Sequence, residues 1–284
     1  MKALALVASP RKLGNSEILA KEMLASLPAA ERRMIRLTDL RIEQCRACYA
    51  CLPAEKDCVI KDDMTFLLRE IRWADAVIIS SACYFLGPHT SIKTIGDRLI
   101  SVLQEGSRYA GKKCATVLTY GVPGWEGYGR EAVRNFAGFL HLDVVGSLTV
   151  QAANPGTAIK PAILEEARKL AERLIPGQAG VTPRPDCCCP ACGSSLLQLK
   201  PTGDIRCVMC NCTGRITAAD AGIALRFVPS GHPRFSAAGM AEHGRLLEGI
   251  KDDYIASRKE LSVVRKNYQQ HDSWWIKPDA GINE

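Results

Sequence analysis

The sequence predicts an α/β protein: a doubly wound sheet of five parallel strands, followed by a small cysteine-rich module and a mainly helical C-terminal arm. Short apolar segments alternate with segments whose apolar residues recur at helical spacing, and this alternation continues to residue 175. A stretch rich in proline and glycine follows and marks a linker. The chain of 284 residues is long enough for one substantial core plus an appendage.

Each predicted element has a local reason. The first strand is apolar throughout, which is typical of a central parallel strand. The first helix ends before Pro28, and the second follows Asp62 and Asp63, which favour a helix N-terminus. The predicted strands cover residues 2–8, 33–37, 75–80, 113–119 and 144–150. The predicted helices cover residues 17–27, 64–73, 92–103, 130–140 and 162–175.

The loop Ser-Pro-Arg-Lys-Leu-Gly-Asn-Ser, residues 9–16, joins the first strand to the first helix. At such a junction the unpaired backbone amides of the first helical turn and the positive end of the helix dipole favour a phosphate. Arg11 adds a cation, and Gly14 allows close backbone approach. The loop has neither a nucleoside triphosphatase nor a dinucleotide-binding pattern, so it predicts a site for a terminal phosphate monoester. The alternative is that Asn15 or Ser16 simply caps the helix.

Composition and charge exclude several classes of protein. No apolar stretch reaches the length of a membrane helix, and the chain passes directly into a strand without a cleavable signal, which predicts a soluble, cytoplasmic protein. The formal net charge is +7, but the basic residues are dispersed among acidic ones, which argues against a nucleic-acid partner. The 13 cysteines are too many for an ordinary cytosolic protein, and their close spacing indicates metal sites.

The pattern Ser-Pro-Arg-x-x-Gly-Asn-Ser after an N-terminal strand closely resembles the FMN-phosphate loop of flavodoxin-like NAD(P)H-dependent FMN reductases. The resemblance covers roughly residues 1–175. It implies the strand order 2-1-3-4-5, with FMN bound outside the carboxyl ends of the strands. It also implies a homodimer or a higher homo-oligomer.

Two further loops share this resemblance. Residues 81–88 are similar to the segment that lines the isoalloxazine ring, although Ala82 stands where the family usually has proline. Residues 120–128 are similar to the family's glycine-rich loop facing the ring. The implied FMN-binding residues are Ser9, Arg11, Gly14, Asn15, Ser16, Ala82, Cys83, Tyr84, Phe85, Gly121 and Gly124.

Lys93, Asp97 and Arg98 match the family's Lys-x-x-x-Asp-Arg pattern on the helix after the second loop. A charged helix face usually has a structural or subunit-contact role, and we expect that role here. None of the five histidines lies in a ligand spacing or beside a nucleophile. The sequence therefore predicts no side chain that acts as a catalytic acid or base.

Cys45, Cys48, Cys51 and Cys58 form the pattern Cys-x2-Cys-x2-Cys-x6-Cys. Three closely spaced thiolates can cover one face of an iron–sulfur cubane, and a fourth can complete the ligand set. Zinc usually takes two separated pairs instead. The pattern also resembles the compact motif of the iron–sulfur flavoproteins, which implies a [4Fe–4S] centre. The alternatives are unligated thiols or a redox-active disulfide.

Cys189-x2-Cys192 and Cys207-x2-Cys210 form a second group of two pairs, separated by fourteen residues. This spacing is typical of a four-thiolate zinc ribbon, and tetrahedral iron is the alternative. Cys187, Cys188 and Cys212 lie beside the pairs as additional thiols. The hairpin between the pairs lacks a basic and aromatic face, so the module is expected to serve stability or protein interaction.

The C-terminal arm carries a broad apolar stripe from Leu246 to Tyr268 at helical spacing, followed by Trp274 and Trp275. Such a stripe predicts packing on the flavin domain or on a second subunit. The expected domains are 1–176 for the flavodoxin-like part with its cysteine-rich loop 45–58, 177–188 for the linker, 189–213 for the zinc ribbon and 214–284 for the arm.

Together these patterns predict an FMN-dependent oxidoreductase that accepts electrons from NAD(P)H or a ferredoxin and passes them to an unidentified acceptor. One alternative is a flavin electron carrier that never binds nicotinamide. Another is a zinc-ribbon interaction or DNA-binding protein that uses flavin as a redox sensor.

Overall fold

The computed structural model of the chain describes residues 1–52, 56–103, 105–177, 187–219, 222–228, 232 and 234–274. Within them the chain forms two compact units, Met1–Gly244 and Arg245–Glu284. The strands are β1 (Lys2–Ala8), β2 (Glu31–Arg36), β3 (Ala76–Tyr84), β4 (Gly87–Pro88), β5 (Lys113–Tyr120), β6 (Asp143–Gln151), β7 (Leu197–Leu199), β8 (Asp204–Cys207), β9 (Thr213–Ala219) and β10 (Gly222–Val228). The α-helices are α1 (Asn15–Ser26), α2 (Met64–Trp73), α3 (Thr90–Gly96), α4 (Gly106–Tyr109), α5 (Gly129–Phe139), α6 (Pro161–Glu172) and α7 (Ala237–Lys266).

Five long parallel strands form the main sheet in the order β2-β1-β3-β5-β6, and β4 is a two-residue antiparallel addition to the end of β3. This order confirms the predicted 2-1-3-4-5 arrangement, because β4 is too short to change the sequence of long strands. The carboxyl ends of the parallel strands share one edge, where loops 9–16, 81–88 and 120–128 emerge.

Both faces of the sheet are covered, which explains why its strands are continuously apolar. Along β1, Ala3, Ala5 and Val7 pack in one core with α1 and α6. The alternate residues Leu4 and Leu6 pack in a second core with α2, α3 and α5. Because successive side chains of a strand point to opposite faces, a strand between two helical layers needs apolar residues at every position.

The helix predicted over residues 92–103 is wrong in detail. The structure has the short helix α3, which ends at Gly96, and then a 3₁₀ turn, Leu99–Val102. Arg98 lies between them with its side chain 1% exposed and paired with Asp62. The contact between Arg98 and Asp62 joins residues 36 positions apart in the chain. Helical periodicity reflects only local spacing, so it could not predict this ion pair or the irregular backbone beside it.

Four antiparallel strands form a second sheet in the order β10-β9-β8-β7. The hairpin predicted between the cysteine pairs corresponds to β7 and β8, and the apolar segment 223–228 lies in β10. The strand β9 was not predicted, and β9 and β10 pair antiparallel where the sequence suggested the start of the helical arm. Most of the predicted linker, residues 178–186, lies outside the described residues.

The cysteine-rich module packs directly on helix α5 of the first unit. Arg134 donates a hydrogen bond of 2.6 Å to the carbonyl of Cys192, and the Ser195 hydroxyl donates one of 2.8 Å to Glu131. Phe139 and Phe235 meet edge to face, with ring centroids 5.4 Å apart. The module therefore shares one compact unit with the flavodoxin-like sheet.

In the second unit the helix α7 continues to Lys266 and is followed by a 3₁₀ segment to Trp274. The apolar side chains of its predicted stripe, including Leu246, Ile250 and Tyr254, are exposed. The expected partner surface for this stripe stays a prediction, and Trp275 lies outside the described residues. No helix in the described parts of the chain has both the length and the apolarity needed to cross a membrane.

Candidate functional site

A cleft of about 150 Å³ lies at the carboxyl edge of the main sheet, where the loops after β1, β3, β5 and β6 meet. All the predicted FMN-binding residues except Phe85 and Gly124 line it. Sequence analysis missed the lining residues at the end of β5, Thr119 and Tyr120, and those directly after β6, Ala152 and Ala153. The carboxyl ends of these two strands are the sequence signal that could have located them. The lining residues are Ser9, Arg11, Gly14, Asn15, Ser16, Ala82, Cys83, Tyr84, Thr119, Tyr120, Gly121, Ala152 and Ala153.

The loop 9–16 folds tightly before α1 begins. The Gly14 amide donates to the carbonyl of Arg11 at 3.2 Å, and a Cβ at Gly14 would lie only 3.1 Å from that same oxygen. The Gly14 carbonyl then accepts from Ile18 at 3.0 Å. Helix geometry leaves the amides of the first turn without intrahelical acceptors, so they are available to an anion in the cleft. The guanidinium of Arg11 is exposed at the cleft wall.

The side chains of Asn15 and Ser16 hold the cleft together. The Asn15 amide donates at 2.9 Å to the carbonyls of Ala152 and Asn154, and the Ser16 hydroxyl lies 2.8 Å from that of Thr119. Neither side chain caps the helix, whose N-cap residue is Gly14. Both side chains therefore bond within the protein, and the backbone amides of the first helical turn are the donors that remain for an anion.

A buried acid, Glu17, stabilises the loop from behind. It accepts hydrogen bonds from the Leu13 amide at 2.8 Å and from Arg36 at 2.7 Å, and it pairs with Lys21 at 2.7 Å. Burial opposes its ionisation, but the hydrogen bonds from Lys21, Leu13 and Arg36 outweigh burial and lower the pKa of Glu17 to about 2. The carboxylate is thus charged at neutral pH, and its two cations offset its repulsion of an anion in the cleft.

The wall expected to face the flavin ring is only partly as predicted. Tyr84 lines the cleft, but Phe85 has a left-handed backbone with φ of 47° and a side chain that is 98% exposed. Phe85 pairs with no strand, because the chain turns there between β3 and β4. Phe85 therefore points to solvent in this structure, whereas Tyr84 lines the cleft, and contact of either residue with the ring stays a prediction.

The second and third loops are packed against each other. The Tyr128 amide donates to the Leu86 carbonyl at 2.8 Å, and a Cβ on Gly127 would lie 2.2 Å from the same oxygen. Gly127, with φ of 54°, is thus the glycine that the close approach requires. Gly124 has φ of 74°, and among the described residues no atom beyond its chain neighbours lies within 4 Å of the position of a Cβ. A glycine there is explained by the left-handed backbone of the turn and not by a close contact.

A second cavity, of about 330 Å³, is lined by all four cysteines of the loop 45–58 together with Arg98. Asp62 anchors this loop, since its carboxylate accepts from the Glu43 amide at 2.8 Å and from the Met64 amide at 3.1 Å. Burial, and then the neighbouring Cys58, raise the pKa of Cys51 to about 11. A metal bound here would therefore have to displace that proton. The cysteines that line the cavity are Cys45, Cys48, Cys51 and Cys58.

The sulfur atoms of Cys189, Cys192, Cys207 and Cys210 lie within 4.8 Å of one another. The sulfur–sulfur distances are 3.4 Å for Cys189–Cys210 and 3.5 Å for Cys192–Cys207. A tetrahedron with zinc–sulfur bonds of about 2.3 Å has edges of about 3.8 Å, so the donor set fits one tetrahedral ion. Hydrogen bonds from the other three thiols lower the pKa of Cys189, which favours a thiolate there.

The two cysteine pairs have the same backbone turn. Gly193 donates to the Cys189 carbonyl at 2.8 Å and has φ of 72°. Asn211 donates to the Cys207 carbonyl at 3.0 Å and has φ of 65°. The left-handed conformation after each pair explains why a glycine and an asparagine occupy these positions.

The model of the family described as NADPH-dependent FMN reductase matches residues 1–155. An iron–sulfur flavoprotein of Archaeoglobus fulgidus is 35% identical over 102 residues, which cover 35% of this chain and 46% of the relative. An iron–sulfur flavoprotein of Methanosarcina thermophila is 28% identical over 61% of this chain and 95% of the relative. The chain thus spans about half the length of the first of these relatives and nearly all of the second.

Among solved structures, one described as flavone reductase superposes over 100% of both chains with a TM-score of 0.76 and 19% sequence identity. At this identity the likeness concerns the fold alone.

Proposed function

Because the chain belongs to the NADPH-dependent FMN reductase family, we propose that it is an FMN-dependent oxidoreductase with an iron–sulfur centre in its four-cysteine loop. The observation that carries the proposal is the cleft at the carboxyl edge of the sheet. There the first turn of α1 and the exposed Arg11 face the same space as the ends of β3 and β5. FMN bound there would supply two-electron hydride chemistry and one-electron transfer.

The cleft suits the phosphate end of FMN for three reasons. The first-turn amides of α1 offer donors at the positive end of a helix dipole. Arg11 adds a charged fork that can bind two phosphate oxygens. Asn15 fixes the position of the helix start through its bonds to Ala152 and Asn154. The chain thus binds and orients the cofactor, and no described side chain is assigned a proton-transfer role.

The phosphate assignment predicts a selective effect of charge reversal at Arg11. We expect Arg11→Glu to weaken FMN binding about tenfold or more, because a charge-assisted hydrogen bond is worth about 1.5–3 kcal/mol and is replaced by repulsion. Riboflavin, which lacks the phosphate, should bind equally well to the variant and to the wild type. Fluorescence titration of the apoprotein measures both affinities.

Lys12→Glu is the matched control, because Lys12 is an exposed cation in the same loop that does not line the cleft. It should leave FMN affinity within about twofold of wild type, since surface charges are screened. Phosphate binding by Arg11 would be contradicted if Arg11→Glu and Lys12→Glu lost FMN affinity equally. It would also be contradicted if Arg11→Glu lost as much affinity for riboflavin as for FMN.

We propose NAD(P)H as the electron donor. The mouth of the cleft is open, and exposed aromatic side chains of Tyr84, Trp125 and Tyr128 belong to the loops around it. An apolar, accessible rim suits the approach of a planar nicotinamide. The expected result is rapid bleaching of the flavin absorbance when NADPH or NADH is added without oxygen. If reduced ferredoxin bleaches the flavin absorbance and neither NADPH nor NADH does, the protein is an electron carrier instead.

The four-cysteine loop supports the proposed [4Fe–4S] centre in two ways. All four thiols face one cavity, which suits a cluster that needs four separate iron–sulfur bonds. The helix α3 also connects the two sites along the chain, since it begins six residues after Tyr84 of the flavin cleft and ends two residues before Arg98 of the cysteine cavity. A helix of seven residues is roughly 10 Å long, so this connection is short along the chain. Such a centre would accept or donate single electrons.

For the second cysteine group we propose structural zinc. The four sulfurs surround one point, and their pairs Cys189–Cys210 and Cys192–Cys207 leave no open ligand position. A closed tetrathiolate site is typical of structural zinc. Because the ribbon packs on α5, we propose that the zinc stabilises the module against the flavin-binding part of the chain. We also propose that the protein assembles as a homo-oligomer.

A further inference from the structure

Arg98 is one of the largest side chains that the fold buries completely. Its side chain is 1% exposed, and the carboxylate of its partner Asp62 is 0% exposed. A guanidinium keeps its charge at any physiological pH, so its burial has a large desolvation cost. Such a group is expected to use all of its N–H donors.

Only one of the three guanidinium nitrogens has a partner among the described residues. Nη1 donates to Asp62 and, at 3.2 Å, to the carbonyl of Glu43. Nε and Nη2 are buried and have no hydrogen-bond acceptor there. An unpaired buried donor costs about 1–3 kcal/mol, and more when it is charged. The fold thus keeps two costly, unused donors at one position.

These donors lie at the cavity of the four cysteines. Arg98 lines the cavity together with Cys45, Cys48, Cys51 and Cys58. Burial opposes the charged form of Arg98, but Asp62 and then Cys58 outweigh it and raise the pKa of the guanidinium. When these cysteines ligate iron they are thiolates, so the cavity would present anionic sulfur to the unused N–H groups.

We propose that Nε and Nη2 of Arg98 donate hydrogen bonds to the sulfur atoms of the four-cysteine centre, and that Arg98 thereby raises the reduction potential of that centre. The inference rests on the proposed iron–sulfur function of the loop. One-electron reduction adds one negative charge to the centre, so donors and a cation beside it stabilise the reduced form more than the oxidised form. Asp62 opposes this effect, because its carboxylate neutralises the guanidinium.

The competing explanation is that Arg98 merely clamps the loop through Asp62 and Glu43. The two explanations predict different signs for the shifts in reduction potential that the two substitutions cause. If Arg98 acts on the centre, its removal lowers the potential, whereas Asp62→Asn leaves the cation uncompensated and raises the potential. A clamp that is loosened by either substitution would shift both potentials in the same direction.

The experiment compares wild type, Arg98→Gln, Asp62→Asn and Lys93→Gln after anaerobic reconstitution with iron and sulfide. Lys93→Gln is the matched control, because it removes one positive charge from the preceding helix α3 at an exposed site paired with Asp97. Iron content is measured first, and the potential is then measured by redox titration monitored by electron paramagnetic resonance.

We expect Arg98→Gln to lower the equilibrium constant for reduction of the centre about tenfold, which is about 59 mV for one electron. Asp62→Asn should shift it upward and Lys93→Gln should leave it unchanged. Equal potentials in wild type and Arg98→Gln, or shifts of one sign in Arg98→Gln and Asp62→Asn, would overturn the inference while leaving the proposed centre intact.

If Arg98→Gln takes up no iron, Arg98→Lys decides the question, because lysine keeps the charge and a donor for Asp62 but lacks the two spare N–H groups. A loaded lysine variant with a lowered potential supports the inference, and one with the wild-type potential refutes it. A folded wild type that binds no iron after reconstitution would remove the proposed centre and this inference together, and the iron assay identifies that case.

Discussion

Replacement of Cys48 by alanine is expected to abolish iron binding while FMN stays bound. The wild type should contain about four iron atoms in the four-cysteine loop, because a cubane has four metal sites. Cys48 is the second of four thiols lining the cavity, and we expect the three remaining ligands not to retain the cubane. The FMN cleft is lined by other residues, so the flavin content should not change.

The measurement is iron and sulfide content together with the paramagnetic signal after anaerobic reduction. Cys187→Ala is the control, because Cys187 is an exposed thiol that lines neither the cavity nor the second cysteine group. It should retain wild-type iron. Full iron in Cys48→Ala, or an iron-free wild type that NAD(P)H still reduces at full rate, would leave these cysteines as thiols.

Loss of the second metal is expected to unfold the cysteine-rich module and leave the main sheet intact. Structural zinc contributes about 10–16 kcal/mol to the folding of such small modules, far more than their own core provides. The buried cluster there consists of Cys189, Cys207 and Cys210 with a few partly buried neighbours. The main sheet has two extensive apolar cores of its own. Cys207→Ala should therefore lose zinc and become protease-sensitive within residues 187–228.

Zinc analysis, limited proteolysis and flavin content test this expectation. Cys212→Ala is the matched control, since Cys212 neighbours the pairs but is outside the group of four sulfurs. The contacts of Arg134 and Glu131 with the module join it to α5. We therefore expect FMN affinity to fall at most about tenfold, which corresponds to the loss of one or two hydrogen bonds. Release of FMN in step with zinc would show that the two parts fold as one cooperative unit.

Local pattern predicted most of the fold because parallel strands between helical layers are apolar at every position. The alternation of Leu4 and Leu6 with Ala3 and Ala5 between two cores is the structural reason for the apolar run that marks β1. The spacing of the cysteine pairs also predicted the second cysteine group, since two cysteines three positions apart bring their sulfur atoms close to each other. The strand β9 was missed because residues 213–219 carry glycine, arginine and alanine where one face is open to solvent.

The sequence by itself determined the alternation of strands and helices, the position of the cleft at the carboxyl edge and the two groups of cysteines, whereas the strand order was implied by the family resemblance. The alternation, the cleft position and the cysteine groups follow from periodicity, loop composition and short-range spacing, which the chain carries locally. Only the tertiary structure decided what individual side chains do. It assigned the Asn15 amide to the carbonyls of Ala152 and Asn154, and turned Phe85 outward. It also buried Arg98 against Asp62 beside the cysteines. Such contacts join residues far apart in the chain, and their energies depend on burial and on competing partners, which no local pattern records.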